Sequence, residues 1–547
     1  MILGKKVPDR EDYRPAKTRL FDGAFSRCAG HGRDATVGNE VLNRSVERDV
    51  ASFLLTAGKP DTIALQDARR SWTYADLANG VTLVATQLHE WGGESGDRAV
   101  LLADNSFFWV VSYLGILRAG LIAVPVSPIA PAEEVRAILT TTTPRFAFVD
   151  TRHRARHAHG LVGLSVLTER DVHSRSADTE GTRNNLGDAH RIASGFPHIE
   201  PHDLAALMFT SGSTGTPCGV MVSHKNIMAN TTSIIECLRL TERDSVMAVL
   251  PFHYCFGTSL LHTHLRVGGT IVLESRFMYP EIVLNRLAES GCTGFAGVPS
   301  HYQILLRNSN LAARTFPSLR YVQQAGGYLP PAVVDELRAA LPTTQVFIMY
   351  GQTEATARLS CLAPEYLDAK RGSIGKGIPG VRLRVVDHTD ADVLPGQVGE
   401  ITAEGDNIAQ GYWNDRPESE AHFRAGRLYT GDLATVDDEG FIYIVGREKD
   451  FLKCRGERTS CQGIEAQLLE CEDLLEAAVI GMPDDVLGEA VRAFVVPRDP
   501  RPEGFVDRLR EFCRQRLPAH LIPRDIVIVS ELPKSNSGKV LKRELNR

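Results

Sequence analysis

The sequence predicts an α/β protein: a large amino-terminal domain of doubly wound parallel sheet with a β-rich subdomain, then a small α+β carboxyl-terminal domain. Three observations carry this. Short apolar runs alternate with helical periodicity from residue 46 onward, the order of a parallel sheet with crossover helices. Several of those runs end in glycine-rich turns, and loops leaving the carboxyl ends of parallel strands form the crevice where open α/β sheets bind ligands. At 547 residues the chain exceeds one ordinary core, and its pattern changes near residues 381 and 451.

Residues 1–45 are rich in Arg, Asp and Gly without periodicity and read as an extension. The run Ser71–Leu77 is a short strand entering a helix that continues through Val81, Leu83, Val84 and Leu88. A turn at Gly96–Arg98 leads to the strand Ala99–Leu102. Asn105-Ser106 caps a helix from Phe107 to about Arg118, and Leu121–Val126 is the next buried strand. Residues 152–200, rich in His, Arg and Ser, read as a long surface connection.

Leu204–Leu207 then forms a buried strand running into Met208-Phe-Thr-Ser-Gly-Ser-Thr-Gly-Thr-Pro-Cys-Gly-Val220. Gly212, Gly215 and Gly219 let backbone N–H groups face one way, and Ser211, Ser213, Thr214 and Thr216 add hydroxyl donors. Such a concave loop suits a polyphosphate. It is not a Walker A loop, since Val220 follows Gly219 where that motif needs Lys.

Downstream, a helix starts at Ser223–Asn226 and runs to about Leu238, and β/α alternation continues through Ser245–Leu250, Leu260–Val267 and Thr270–Leu273. Gly294–Ser300, Tyr321–Gly327 and Val346–Gly351 each end a strand in a turn. The runs Val381–Val386 and Gly399–Ala403 open the β-rich part, and residues 451–547 hold a separate small core that includes Ala477–Ile480, Arg492–Val496 and Asp525–Val529.

Composition narrows the function classes. With 43% hydrophobic and 23% charged residues the chain is of soluble globular type, and a net charge of -6 with scattered basic residues gives no nucleic-acid surface. The ten cysteines include no CxxC pair and read as reduced thiols. No apolar run is long enough for a membrane span, and Met1–Lys6 opens no signal peptide, so a cytoplasmic location is expected.

Five motifs occur in order: Thr210-Ser-Gly-Ser-Thr-Gly-Thr-Pro217, Tyr350-Gly-Gln-Thr-Glu354, Tyr429-Thr-Gly-Asp432, Gly446-Arg-Glu-Lys-Asp450 and Pro533-Lys-Ser-Asn-Ser-Gly-Lys539. The series resembles the adenylate-forming superfamily of acyl-CoA synthetases, aryl-acid ligases, luciferases and non-ribosomal adenylation domains, over roughly residues 46–547. The resemblance implies an amino-terminal domain over 46–446 with its β-rich part at about 381–446, a hinge at 447–450 and a mobile lid over 451–547. It implies two reactions. A carboxylate attacks the α-phosphorus of Mg·ATP to give acyl-AMP and pyrophosphate; the lid then rotates and a phosphopantetheine thiol takes the acyl group.

Roles follow from the resemblance residue by residue. Lys539 matches the lid lysine that bridges carboxylate and phosphate oxygens as charge moves between them. ATP is expected on Thr210, Ser211, Gly212, Ser213, Thr214 and Gly215, with Gly326, Gly327, Tyr350, Gly351 and Thr353. Tyr350 would stack on adenine, although an aromatic ending a buried strand also serves as ordinary core. Asp432 fits the ribose hydroxyls, with Arg447 assisting, although an Asp in such a turn also serves as a turn former. Glu354 and Thr214 match the magnesium ligands. Lys449 falls at the hinge, and Lys453 at a position facing the site in one lid orientation.

Two departures stand out. The family's Thr-Pro-Lys-Gly reads Thr216-Pro-Cys-Gly219 here, which removes a cation from the outer phosphates; Lys225 is a candidate substitute, and a reactive Cys218 a sharper alternative. The other is Ser460-Cys-Gln-Gly-Ile-Glu465, where Pro-x-Glu-Ile-Glu is common.

The resemblance implies an acid pocket built from the segments after Leu250, Phe295 and Gln324. The first, Pro251–Ser259, carries no carboxylate to neutralise an amino-acid ammonium, which disfavours an amino acid. Tyr254, Phe256, Gly257, Gly297 and Val298, with Gly326 and Gly327, imply an apolar slot with room at its floor for a fatty or aromatic acid. His253 resembles the family's gate beside the carboxylate; a capped loop histidine is the alternative.

The chain ends at Arg547, just beyond Lys539, so the acceptor is expected to be free CoA or a separate acyl or peptidyl carrier protein, with CoA favoured. An AMP-forming acid–thiol ligase of fatty-acid or secondary metabolism leads. Its rivals are an adenylating enzyme serving a non-CoA acceptor and a degenerate nucleotide- or acyl-binding protein.

Overall fold

The computed structural model describes residues 49–172, 196–211, 217–447, 450–454, 457–484, 488–498, 504–534 and 540–545. The expected extension over 1–45 lies outside them, as do Gly212, Ser213, Thr214, Gly215, Lys449 and Lys539, and the side chains of Ser211 and Lys453.

Two mostly parallel sheets form the larger part. The nine-stranded sheet runs Lys376–Gly377, Ser360–Leu362, Gln345–Tyr350, Tyr321–Gln324, Gly294–Gly297, Ser245–Ala248, Thr270–Leu273, Ile63–Gln66, Ser71–Thr73. Its inner pairings are parallel and its edges antiparallel. The six-stranded sheet runs Ser165–Leu167, Phe146–Val149, Arg98–Leu102, Ile122–Pro125, Leu204–Ser211, Pro217–Ser223. Helix Phe107–Arg118 is buried on every side from Phe108 to Leu117, as a helix lying inside a core must be. Ser106 caps it by accepting from the Trp109 N–H, and Thr73 with Asp76 forms a capping box on helix Tyr74–Glu90.

A third, antiparallel sheet (Val381–Val386, Gly399–Gly405, Arg427–Val436, Phe423–Arg424, with Ile442–Arg447) has its own small core. The fourth pairs Glu457–Ser460, Phe451–Cys454, Gly488–Pro497 and Leu474–Asp484, with Asp525–Ile528 parallel to Gly488–Pro497. Helix Cys461–Leu468 starts on Ser460, whose hydroxyl accepts from the Gly463 N–H, so the unusual Ser460–Glu465 segment still begins a capped helix.

Two expectations are corrected. Pro217–Ser223 is a strand, not part of a loop: it returns antiparallel on Leu204–Ser211, pairing Thr210 with Cys218. Gly219 accordingly serves close packing, since a Cβ there would meet the Phe209 ring at 3.0 Å. The region 152–172 is also more structured than a surface connection; Ser165–Leu167 extends the six-stranded sheet beside Phe146–Val149, burying Leu167.

Candidate functional site

The strand Gln345–Tyr350 delivers Tyr350 to its carboxyl end, where the chain turns sharply. Gly351 makes that turn possible: a Cβ there would lie 2.0 Å from the Ala357 carbonyl oxygen, so no larger residue fits. The Tyr350 hydroxyl donates to Asp432 Oδ2 at 2.6 Å, while Arg447 Nε donates to Oδ1 at 2.8 Å. Asp432 and Arg447 face each other because their strands, Arg427–Val436 and Ile442–Arg447, pair with these two residues in register. Burial and the Asp432 carboxylate hold the Tyr350 phenol well above its ordinary pKa, so it stays a donor. Tyr350 is therefore a positioning partner of Asp432 as well as an aromatic wall.

Tyr350, Gly351, Asp432 and Arg447 line one cavity of about 460 Å³ together with Gly326, Gly327 and Val298. Its opposite wall comes from the carboxyl-terminal part, with Gln462, Glu465, Lys534, Val540 and Lys542. There Lys542 Nζ pairs with Glu465 Oε1 at 2.7 Å, and Glu465 also accepts from the Val479 N–H at 2.7 Å. Burial raises the Glu465 carboxyl, and Lys542 opposes that shift. The cavity thus brings together residues more than a hundred positions apart, with a fixed carboxylate on one wall.

Glu354 stands apart from this cavity lining. Its Oε1 accepts from the Tyr412 hydroxyl at 2.8 Å, and burial together with Glu354 pushes that phenol upward. The remaining carboxylate oxygen takes no hydrogen bond among the described residues. A hard divalent cation takes oxygen donors of this kind, so Glu354 fits a magnesium ligand; Thr214 lies outside the described residues. Thr353 Oγ1 lies 3.5 Å from Cys255 Sγ. Tyr412 is a partner that sequence reasoning missed; the signal was only its place in the connection between two strands of the third sheet.

His253 is deeply set, its ring 4.4 Å from that of Tyr254 and its Nε2 without a partner. Burial lowers its pKa to about 4, so it is a neutral imidazole at pH 7. Gly257 does not supply room at a pocket floor: its Cβ would meet the Pro251 carbonyl oxygen at 2.1 Å, so its role is a tight backbone approach. At Gly297 the space is tight, a built Cβ lying 3.1 Å from side-chain atoms of His301 and Tyr302. The slot is not purely apolar either, because Arg358 packs on Phe256 with its guanidinium carbon 3.8 Å from the ring centroid.

Of the candidates for the missing loop lysine, Lys225 Nζ pairs with the exposed Asp406 Oδ1 at 2.8 Å, and the reactive-thiol reading of Cys218 is corrected. Burial, Asp415, Glu418 and Glu354 all raise the Cys218 thiol, the opposite of what a nucleophilic thiolate needs.

Parallel sheets, a β-rich continuation and a smaller α+β part facing one cavity define an adenylate-forming enzyme. The chain belongs to the AMP-binding enzyme family, which matches residues 55–413, with the AMP-binding enzyme C-terminal domain matching 463–539. It is 30% identical over 487 residues to the long-chain-fatty-acid–CoA ligase of Escherichia coli O6:H1, covering 83% of this chain and 86% of that one. It is 29% identical over 495 residues to the 2-succinylbenzoate–CoA ligase of Bacillus licheniformis, covering 89% and 97%. The o-succinylbenzoate CoA synthetase of Bacillus subtilis, in complex with its acyl-adenylate intermediate, superposes with a TM-score of 0.77 at 26% identity, covering 92% of this chain and 98% of that one. The chain is an AMP-forming acid–thiol ligase, and among its described residues no helix is long and apolar enough to cross a membrane.

Proposed function

We propose that this enzyme condenses a carboxylic acid with ATP to give acyl-AMP and pyrophosphate, then passes the acyl group to CoA with release of AMP. The observation that carries the residue roles is the Tyr350–Asp432–Arg447 arrangement on a cavity walled by both parts of the chain. Asp432 accepts from the ribose hydroxyls, held in place by Tyr350 and Arg447. Each carboxylate oxygen has two acceptor sites, so its present bonds leave capacity for the sugar.

The Thr210–Gly215 loop cradles the phosphates, and Glu354, with Thr214, holds Mg2+, which neutralises phosphate charge when bound. Lys539 steadies the pentacoordinate transition state. The neutral His253 lies beside the acid carboxylate and donates no charge to it. The domain boundary falls at 447–450 with Lys449 as hinge, and Lys453 is the lid residue that serves the site in one lid orientation. The third sheet ending at Arg447 and the fourth beginning at Phe451 support that division. The relatives are named as ligases of a long-chain fatty acid and of 2-succinylbenzoate with CoA, which favours CoA over a carrier protein.

The test is pyrophosphate release from Mg·ATP over fatty, aryl and amino acids, with and without CoA. Release with an acid of the first two classes, accelerated by CoA, is expected. Release that CoA leaves unchanged would point to another acceptor. ATP binding without release for any acid would favour the binding-protein reading.

A further inference from the structure

The turn that carries Glu354 is held in shape by a segment from elsewhere in the chain. It runs as the short 3-10 helix Thr353–Ala355 and closes at Thr356, whose φ of 68° is a left-handed backbone that a β-branched residue rarely adopts. Such strain persists only where the surroundings over-determine it. Here the surroundings are residues 407–412, in the connection between two strands of the third sheet. Thr356 Oγ1 donates to the Asn407 carbonyl at 2.7 Å, and Asn407 Nδ2 donates back to the Ala355 carbonyl at 3.2 Å. The Ala409 N–H donates to the Glu354 carbonyl at 2.9 Å. The Tyr412 hydroxyl then reaches the Glu354 carboxylate itself.

The same segment is fastened to Pro217–Ser223, the strand that returns from the Thr210–Gly215 loop. The Gln410 N–H donates to the Met221 carbonyl and the Met221 N–H to the Gly411 carbonyl, both at 2.9 Å. The Trp413 N–H donates to the Gly219 carbonyl at 2.7 Å, so Tyr412 pairs antiparallel with Val220. Gly411 allows this approach with a φ of 122°, where a Cβ would meet Ser419 Oγ at 3.0 Å. Ser419 Oγ in turn accepts from the Tyr412 N–H at 2.8 Å. The Tyr412 ring is buried and packs edge-on to the rings of His422 and Phe423, with centroids 6.0 and 5.6 Å away. Its hydroxyl is therefore a donor whose place is set before any ligand arrives.

We propose that Tyr412 is a positioning residue for the magnesium site: its hydroxyl holds Glu354 Oε1, leaves the other carboxylate oxygen for the metal, and ties that carboxylate to the strand following the phosphate loop. This rests on the ligase reading above, in which Glu354 binds Mg2+. A free glutamate side chain must give up rotamer freedom when it takes a metal, and that loss weakens binding. Tyr412 removes the freedom beforehand. Partners that orient a ligating carboxylate in this way carry about 10- to 100-fold of metal affinity.

The experiment titrates Mg·ATP, and separately ATP in excess chelator, into the full chain by calorimetry, without acid or CoA. Wild type, Tyr412→Phe and Glu354→Gln are compared. Tyr412→Phe keeps the ring against His422 and Phe423 and removes only the hydroxyl; circular dichroism verifies folding. Its Kd for Mg·ATP should rise about 10-fold, while its Kd for metal-free ATP stays within about twofold of wild type. Glu354→Gln should lose the preference for Mg·ATP altogether. An equal loss for both forms of ATP in Tyr412→Phe would make the hydroxyl a support of the fold alone and overturn the proposal. So would an unchanged Mg·ATP Kd in Tyr412→Phe beside a lost preference in Glu354→Gln. A retained preference in Glu354→Gln would remove Glu354 from the metal site, and the proposal with it. No turnover is needed, so an enzyme inactive on every acid would count against the ligase reading and leave these titrations to decide.

Discussion

Replacing Asp432 by Asn keeps the shape of the side chain and removes one acceptor oxygen together with the charge. In the native site Oδ2 accepts from Tyr350 at 2.6 Å and Oδ1 from Arg447 at 2.8 Å, on a carboxylate that is 5% exposed. An amide can accept from only one of these donors; its NH2 must face the other, setting donor against donor. A hydrogen bond to an ionised group is worth about 1.5–3 kcal/mol. The ribose loses the same kind of acceptor, so ATP affinity should fall by about 10- to 100-fold. Arg447 adds little to this cost, because its half-exposed guanidinium can turn to water. Calorimetric titration of Mg·ATP into Asp432→Asn, with circular dichroism to verify folding, measures the effect, and KM for CoA should stay near the wild-type value. An ATP Kd within threefold of wild type would refute the assignment of Asp432 to the ribose.

Three further outcomes are expected. Burial lowers the pKa of His224, His253, His264 and His301 to about 4 and of His262 to about 3, all below the ordinary 6.5. The unfolded chain therefore takes up protons first, and stability that is complete above pH 6.5 is lost as pH falls toward 4, at about 1.4 kcal/mol per histidine per pH unit. Asp150, raised to about 6 by burial and Glu169, gains stability in the opposite direction below pH 6 and offsets one of the five. Urea midpoints at pH 7.5 and 5.5 check this; equal stability at both would contradict it. Gly351→Ala must displace backbone, since its Cβ would sit 2.0 Å from the Ala357 oxygen and 2.7 Å from Arg358 Cα. A lowered Tm and a raised KM for ATP should appear together, and a wild-type value for either would break the link between that turn and Tyr350. Lys539→Ala should abolish acyl-AMP formation, read by pyrophosphate exchange, while Mg·ATP still binds; surviving adenylation would remove Lys539 from the mechanism.

Local signals carried much of the fold. Ser106 before an apolar run and Ser223 with Asn226 three residues on are helix starts that need no tertiary partner, because the cap satisfies its own orphan N–H groups. Buried strands such as Gln345–Tyr350 were legible from a short apolar run, Val346–Tyr350, that stops at Gly351. The return strand Pro217–Ser223 was not, because its glycine and neighbouring hydroxyls have turn composition; only pairing with Leu204–Ser211 makes it extended. Asp432 and Arg447 were legible as motif residues, but Tyr350 as a donor to that carboxylate was not, since nothing local sets a phenol against an Asp 82 positions away.

The sequence by itself determined the class of protein, the reaction and the order of its motifs, because phosphate loops, caps and strand-ending turns are built from contiguous residues. Tertiary structure alone decided which side chains share a cavity, and which charges are balanced. Lys225 and Arg358 are both simply cations in sequence. Folding gives the first an exposed carboxylate at 2.8 Å and seals the second behind an aromatic ring without one. Burial and the company of other charges depend on chain segments far apart in sequence, and they fix what a charged group can do.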